Sequence, residues 1–144
     1  MRVMAKRTLA IAALLAASLS LPASGVAQDG GERQRAVGAI ECRSPTVTDG
    51  DSLRCSGQRV RLLGIDAPEM PGSCRPRRQC VQGDPYAARD YLVSLTRTTV
   101  RCTPEGQDRY GRTLARCTAN GIDLSCAMIR SGHAVRRYAD IRCR

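Results

Sequence analysis

Residues 9–21 are almost wholly apolar, and a positive head of Arg2, Lys6 and Arg7 precedes them. Small residues follow in Ala23-Ser24-Gly25-Val26-Ala27. A charged head, a short apolar stretch and a small-residue tail are the layout of a secretory signal peptide, so residues 1–27 are expected to be removed after Ala27. The apolar run falls short of the roughly 20 residues that span a bilayer, and no second such run follows. No membrane span is therefore expected after cleavage. Residues 28–38 are polar and glycine-containing. They predict a flexible N-terminal segment over 28–40, leading into one domain over 41–144.

Beyond that point apolar and polar positions switch in short runs. Thr46-Val47-Thr48 leads into the turn Asp49-Gly50, and Ser52-Leu53-Arg54-Cys55 leads out of it. Ser56-Gly57 makes a second turn, and residues 58–65 read as a third strand. Turn signals this close together predict a β-meander. A loop rich in Pro, Gly, Cys and Arg occupies residues 71–83. The period then changes. Asp84-Pro85 supplies a capping oxygen and a proline for a first helical turn. Ala88, Tyr91, Leu92 and Leu95 fall at i, i+3, i+4 and i+7, one buried helical stripe. Residues 98–102 and 113–117 predict two more strands, joined by a polar loop over 104–112. Leu124, Ala127 and Met128 predict a second helix, ended by Gly132. The fold class expected from this order is mainly β with α, a five-stranded closed OB-fold barrel with two helices.

Charge and composition narrow the partners. The chain has 144 residues, with 23 Lys+Arg, 13 Asp+Glu and a formal net charge of +10. The signal segment holds three of the basic residues and no acid, so the mature charge is +7. Such a surplus favours polyanions by steering and counterion release. Lys6 is the only lysine, and Arg grips phosphate in a planar fork. There is no Trp or Phe, which excludes a platform of stacked aromatics for single strands. The one histidine, His133, excludes mechanisms that need paired histidines; just after Gly132 it reads as structural.

Four acids stand out in an acid-poor chain. Asp49 and Asp51 flank a glycine turn, while Asp66 and Glu69 follow a strand on either side of Ala67-Pro68. Carboxylates at strand ends can converge on one hard cation, since Ca²⁺ takes several oxygen ligands. Spacing alone is also compatible with turn residues neutralised by arginines. Arg61 leads into Asp66, and Arg112 closes the stretch Asp108-Arg109-Tyr110-Gly111-Arg112. Phosphoryl chemistry needs cations aimed at oxygens where negative charge grows.

Three stretches carry a family resemblance: Val47-Thr48-Asp49-Gly50-Asp51-Ser52, then Arg61-Leu62-Leu63-Gly64-Ile65-Asp66-Ala67-Pro68-Glu69, then Asp108-Arg109-Tyr110-Gly111-Arg112-Thr113-Leu114-Ala115. In this order and separation they resemble the staphylococcal nuclease (thermonuclease) family, over roughly residues 46–138. The resemblance implies an OB-fold barrel and Ca²⁺-dependent hydrolysis of phosphodiesters in DNA and RNA, leaving 3′-phosphate ends. It implies Asp51, Asp66 and the carbonyl of Ala67 as metal ligands, where the family often has Thr in place of Ala67. Asp49 would be an acid near the metal. Glu69 matches the general base, Arg61 and Arg112 match the arginines on the scissile phosphate, and Tyr110 and Tyr138 match tyrosines of the nucleotide pocket. The chain departs from the best-known member in the Arg- and Cys-bearing loop at 71–80 and in ending soon after Tyr138.

Eight cysteines in a short chain imply an oxidising compartment. Without a Cys-x-x-Cys pair, zinc is disfavoured. Spacing predicts four local bridges: Cys42 with Cys55 across the Asp49-Gly50 turn, Cys74 with Cys80 around the Arg loop, Cys102 with Cys117 as cross-strand partners, and Cys126 with Cys143 at the chain end. The expectation is a monomeric, periplasmic or secreted nuclease. Two alternatives are a catalytically silent nucleic-acid-binding OB-type module of the envelope, and a disulfide-stapled envelope protein that binds a partner or polyanion.

Overall fold

The computed structural model describes residues 38–143. The expected signal segment and most of the expected flexible segment lie outside the described residues. Nine strands and two helices follow one another among the described residues: β1 (Ile40–Cys42), β2 (Thr46–Asp49), β3 (Ser52–Cys55), β4 (Gln58–Leu62), β5 (Ile65–Asp66), α1 (Pro85–Leu95), β6 (Val100–Gln107), β7 (Thr113–Ala119), β8 (Ile122–Asp123), α2 (Leu124–Arg130) and β9 (Val135–Arg136). β1 opens at Ile40, inside the segment expected to be flexible, because Ile40 pairs with Cys102 on β6.

The main sheet runs β1-β6-β7-β4-β3-β2, with β8 on β7 and a separate β5-β9 pair. β4 and β7 are parallel, and the other pairings are antiparallel. The principal strands β2, β3, β4, β7 and β6 thus follow the order of an OB-type sheet, curled into a half-barrel with two helices. Backbone pairing stops short of closure, since β1 sits on the edge of β6. The link from β1 back to β3 is covalent, through Cys42–Cys55.

β1, β8 and β9 lie outside the expected strands, and two of the expected strands differ most from their spans. Residues 58–65 do not form one strand: the chain turns at Leu63 and Gly64 and resumes as β5. Gly64 has φ +76°, which glycine adopts without strain. A Cβ there would overlap the side chain of Ile141. The turn takes β5 off the main sheet and onto β9. The second difference is β6, which continues through Pro104 to Gln107. The register shifts between Pro104 and Gly106, and a bulge is where a strand tolerates a residue without an N–H. The connecting loop shrinks to residues 108–112, closed by Gly111 N donating to Asp108 O at 2.9 Å.

Helix α1 begins where its cap predicts: Asp84 accepts from Tyr86 N and Ala87 N. Ala88 and Leu92 are buried against the core, flanked by the partly buried Tyr91 and Leu95. The core is aliphatic, built on Leu53, Val60, Leu62, Ile65, Leu124 and Met128. Two bridges lie within it, Cys42–Cys55 and Cys102–Cys117. The second joins residues directly opposite in the β6–β7 register. Cys42 and Cys55 are not partners in one hairpin, as their spacing suggests; they join β1, at one end of the sheet, to β3, one strand in from the other. Cys74–Cys80 and Cys126–Cys143 complete the set. No described helix is long and apolar enough to cross a membrane.

Gly50 ties α1 to the β2–β3 turn. A Cβ on Gly50 would stand 2.7 Å from that of Ala67 and 2.8 Å from that of Ala88. Those neighbours are backbone-anchored methyl groups, so relief requires the helix or the turn to shift. Gly50→Ala is therefore expected to destabilise the protein by about 1–3 kcal/mol, seen as a lower urea midpoint at unchanged slope. A midpoint equal to wild type would refute this close approach.

Candidate functional site

The site grows from the β2–β3 turn. A register shift between Val47 and Asp49 interrupts the ladder, and such bulges re-aim side chains. Asp49 Oδ1 accepts from Asp51 N at 3.1 Å, an Asx turn that sets the backbone. Asp51 then points inward and is buried. Its Oδ1 accepts from Ser52 Oγ at 2.7 Å and from Arg61 Nη1 at 2.8 Å; its Oδ2 accepts from Ala67 N at 3.2 Å. Arg61 reaches Asp51 because Ser52 and Arg61 are opposite in the β3–β4 register.

The turn at Gly64 delivers the second carboxylate. Asp66 is fully buried, and Arg61 Nη2 donates to its Oδ1 at 2.8 Å. One guanidinium thus bridges Asp51 and Asp66. Two further cations converge on Asp66: Arg78 Nη2 on Oδ1 at 2.8 Å and Arg137 Nη1 on Oδ2 at 2.8 Å. Arg78 also pairs with Glu69.

Arg112 arrives from the other side. Its Nε donates to Asp108 Oδ2 at 2.7 Å, and Nη1 reaches Ser52 Oγ at 3.4 Å. Ser52 therefore connects Arg112 to Asp51. A continuous polar chain results: Asp108, Arg112, Ser52, Asp51, Arg61, Asp66, Arg78, Glu69. It borders a cleft of about 980 Å³ whose lining includes Asp49, Arg61, Glu69, Arg112, Tyr110 and Tyr138. Asp51, Asp66 and Ala67 are buried beside it. Tyr110 OH accepts from Arg75 Nη1 at 2.7 Å. Tyr138 is exposed, with the Arg61 guanidinium 5.7 Å from its ring centre.

The structure thus brings together Asp49, Asp51, Arg61, Asp66, Ala67, Glu69 and Arg112, with both tyrosines on the rim. Ala67 enters through its N–H. His133 lies outside this group, its ring 5.0 Å from that of Tyr91. Sequence reasoning missed Arg78 and Arg137 as partners of Asp66, and Asp108 as the anchor of Arg112. The i, i+4 spacing of Asp108 and Arg112 was an available signal; the other two pairs are long-range.

The carboxylates titrate differently because their partners differ. Burial raises the Asp51 carboxyl to about 7, against the attraction of Arg61 and with Asp49 adding to the rise. Burial also pushes Asp66 upward, but hydrogen bonds from Arg137 and Arg61 and the charge of Arg78 outweigh it and hold the carboxyl below its usual range. Among the described residues no three acids, cysteines or histidines form a ready-made metal cage.

The model of the family described as staphylococcal nuclease homologue matches residues 59–143. The chain belongs to that family. It is 36% identical over 138 residues to the succinoglycan biosynthesis protein ExoI of Rhizobium meliloti (strain 1021), an alignment covering 92% of this chain and 65% of the relative. It is 36% identical over 83 residues to the probable endonuclease LCL3 of Paracoccidioides brasiliensis (strain Pb03), covering 52% and 23%. It is 30% identical over 98 residues to an uncharacterized endonuclease of Haemophilus influenzae, covering 65% and 50%. The chain spans less than two thirds of the length of each of these relatives.

Asp66 gives a test of the electrostatics. Removing it by Asp66→Ala takes a carboxylate partner from three guanidiniums, one of them buried, and is expected to cost about 3–5 kcal/mol. Its folded carboxyl is depressed, so its contribution is complete above the ordinary aspartate value of about 4 and is lost as pH falls through the folded value. In chelator, the urea midpoint of wild type should therefore fall more steeply below about pH 4 than that of Asp66→Asn. Parallel curves would refute the assignment.

Proposed function

We propose that this chain is a calcium-dependent endonuclease that hydrolyses phosphodiester bonds of DNA and RNA with little sequence preference, leaving 3′-phosphate ends. The observation that carries the reading is the polar chain that puts two carboxylates, a third acid and two cleft-facing arginines within one hydrogen-bonded group. Family membership and the names of the endonuclease relatives support the same activity. The domain proposed for it is 41–144. Four disulfides fit an oxidising compartment, so we place the protein in the periplasm or medium, as a monomer.

The donor set fits a hard divalent cation. An ionised carboxylate offers about four acceptor positions. Among the described residues, Asp51 has three taken, by Ser52, Arg61 and Ala67. Asp66 also has three taken, by Arg61, Arg78 and Arg137. One position remains on Oδ2 of each, and oxygen donors of this kind suit Ca²⁺. Asp51, Asp66 and the Ala67 carbonyl would hold the ion, with Asp49 ordering the turn. Bound there, Ca²⁺ supplies a positive charge that offsets the phosphate and lowers the cost of deprotonating water.

The chain's own groups do the remaining work. Glu69 takes a proton from the attacking water. Arg61 and Arg112 donate to the non-bridging oxygens and hold them more tightly as charge builds. Asp108 keeps Arg112 turned toward Ser52 and hence toward the carboxylate pair. Tyr110 and Tyr138 flank the nucleotide.

Purified protein is expected to cleave plasmid DNA and RNA with Ca²⁺ and to stop on chelation. Glu69→Gln and Arg112→Ala should each lower turnover about 10²–10⁴-fold while the urea midpoint stays near wild type. Cleavage that persists in chelator would overturn the metal assignment, and binding without cleavage would favour the silent module. The raised Asp51 carboxyl adds a second measurement. Below its value of about 7 the ion must displace a proton, so Ca²⁺ affinity by calorimetry should weaken as pH falls, by up to about tenfold per unit. A flat profile between about pH 5 and 8 would contradict this competition.

A further inference from the structure

The loop between β5 and α1 carries Arg75, Arg77 and Arg78 and is closed on itself by Cys74–Cys80. Most of it is exposed, yet Arg78 is partly buried. Its guanidinium spans from Glu69, through Nη1, to Asp66 Oδ1, through Nη2. Among the described residues Arg78 is the one cation paired with Glu69. Three features fix where Arg78 stands. The bridge closes a ring of short sequence separation, 6 residues, with Arg78 two positions before Cys80. Arg78 N donates to Arg75 O at 3.1 Å, making a turn inside that ring. Gln79 O accepts from Arg137 Nη1 at 2.9 Å, and that same nitrogen of Arg137 donates to Asp66. The loop is therefore pinned to the buried carboxylate at Arg78 directly and at Gln79 through Arg137.

We propose that Arg78 is a positioning residue for Glu69, and that the Cys74–Cys80 bridge is the strut that keeps it in place. The proposal rests on the hydrolytic reading above. Glu69 follows Pro68 in an irregular segment, and its side chain is one-fifth exposed. A glutamate there has several rotamers open to it. Arg78 selects the one that lies beside Asp66, through a charge-assisted contact with both carboxylates. Proton transfer requires the acid within hydrogen-bond reach of the water, so fixing that rotamer raises turnover without contributing a contact to substrate. The bridge acts one step further back. Without it the ring opens, and the backbone of Arg78 is free to carry the guanidinium away from Glu69.

A double-mutant cycle tests the assignment on the full-length protein, with short DNA duplex as substrate. Arg78→Ala is expected to lower kcat about 10–100-fold, the range typical of a lost orienting partner, and to change KM by less than about threefold. Arg78→Lys should recover part of the loss. Cys74→Ser/Cys80→Ser should reproduce most of it, and should add nothing when Arg78→Ala is already present. In a Glu69→Gln background, Arg78→Ala should cost little further. Rates measured well below each variant's urea midpoint, on protein with a wild-type circular-dichroism spectrum, separate the kinetic loss from the stability lost with a bridge, typically about 2–4 kcal/mol. A full additional loss on Glu69→Gln, or a loss confined to KM, would make Arg78 a direct phosphate contact and overturn the proposal. So would unchanged kcat. Wild-type cleavage measured alongside separates the two levels: with cleavage present, an additive cycle removes only the role of Arg78, whereas no cleavage by wild type removes both readings.

Discussion

Arg61 bridging two buried carboxylates is the interaction on which the site is built. Asp51 comes from the β2–β3 turn and Asp66 from β5, and each is almost wholly withdrawn from water. Burying one ionised carboxylate is costly, and burying two side by side more so. A guanidinium offers two parallel donor edges, and here each edge takes one acid, at 2.8 Å in both cases. That geometry fixes how β4 sits against the β2–β3 turn and how far the chain must swing at Gly64 to bring Asp66 back. A lysine could not do the same, since a point charge has no second edge. The register of β3 with β4, the glycine at 64 and the close approach of α1 at Gly50 all serve this one contact.

Stability comes from an unusual division of work. With no Phe or Trp, the core relies on Leu, Ile, Val and Met, which bury less surface each than large aromatics. Two disulfides inside that core restrict the unfolded chain instead, each typically contributing about 2–4 kcal/mol. Cys42–Cys55 has an added consequence, because it ties the β1 edge to β3 and spans the gap that backbone pairing leaves open. The half-barrel therefore resists splaying without a closed ladder, and a splayed sheet would separate Asp51 on one side from Arg112 on the other.

Local chemistry was legible in the sequence, and tertiary partners were not. Asp84-Pro85, the stripe through Ala88 and Leu92, and the Ser52–Cys55 strand were readable because caps, periodicity and turns act over a few residues. The convergence of Asp51, Asp66, Glu69, Arg61 and Arg112 was readable only through a family resemblance, since nothing in their spacing distinguishes a site from neutralised turns. The break at Gly64 was hidden because a glycine inside an apolar run fits a strand as well as a corner; what decides is Ile141, distant in sequence. Pro104 misled in the opposite direction, since a bulge let the strand continue through it. Arg78 and Arg137 gave no signal at all: among so many arginines, only the folded chain singles out the two that reach Asp66.

The charge of the hydrogen-bonded group bears on the proposal that a metal and a phosphate bind there together. Five carboxylates belong to it, Asp49, Asp51, Asp66, Glu69 and Asp108, with four guanidiniums, Arg61, Arg78, Arg112 and Arg137. Fully ionised, the group carries one net negative charge, and protonating Asp51 neutralises it. This balance explains why a chain so basic overall holds an acid centre without strong self-repulsion. On the proposed reading, a divalent ion on the carboxylate pair would turn the net charge to plus one, which a single phosphodiester would cancel. Each ligand would then raise the affinity for the other, and the linkage would be reciprocal by thermodynamic necessity. The outer arginines of the cleft, Arg59, Arg75, Arg77 and Arg109, stand apart from this balance; among the described residues none of the four is paired with an acid, and such charges would draw a polyanion toward the site from a distance.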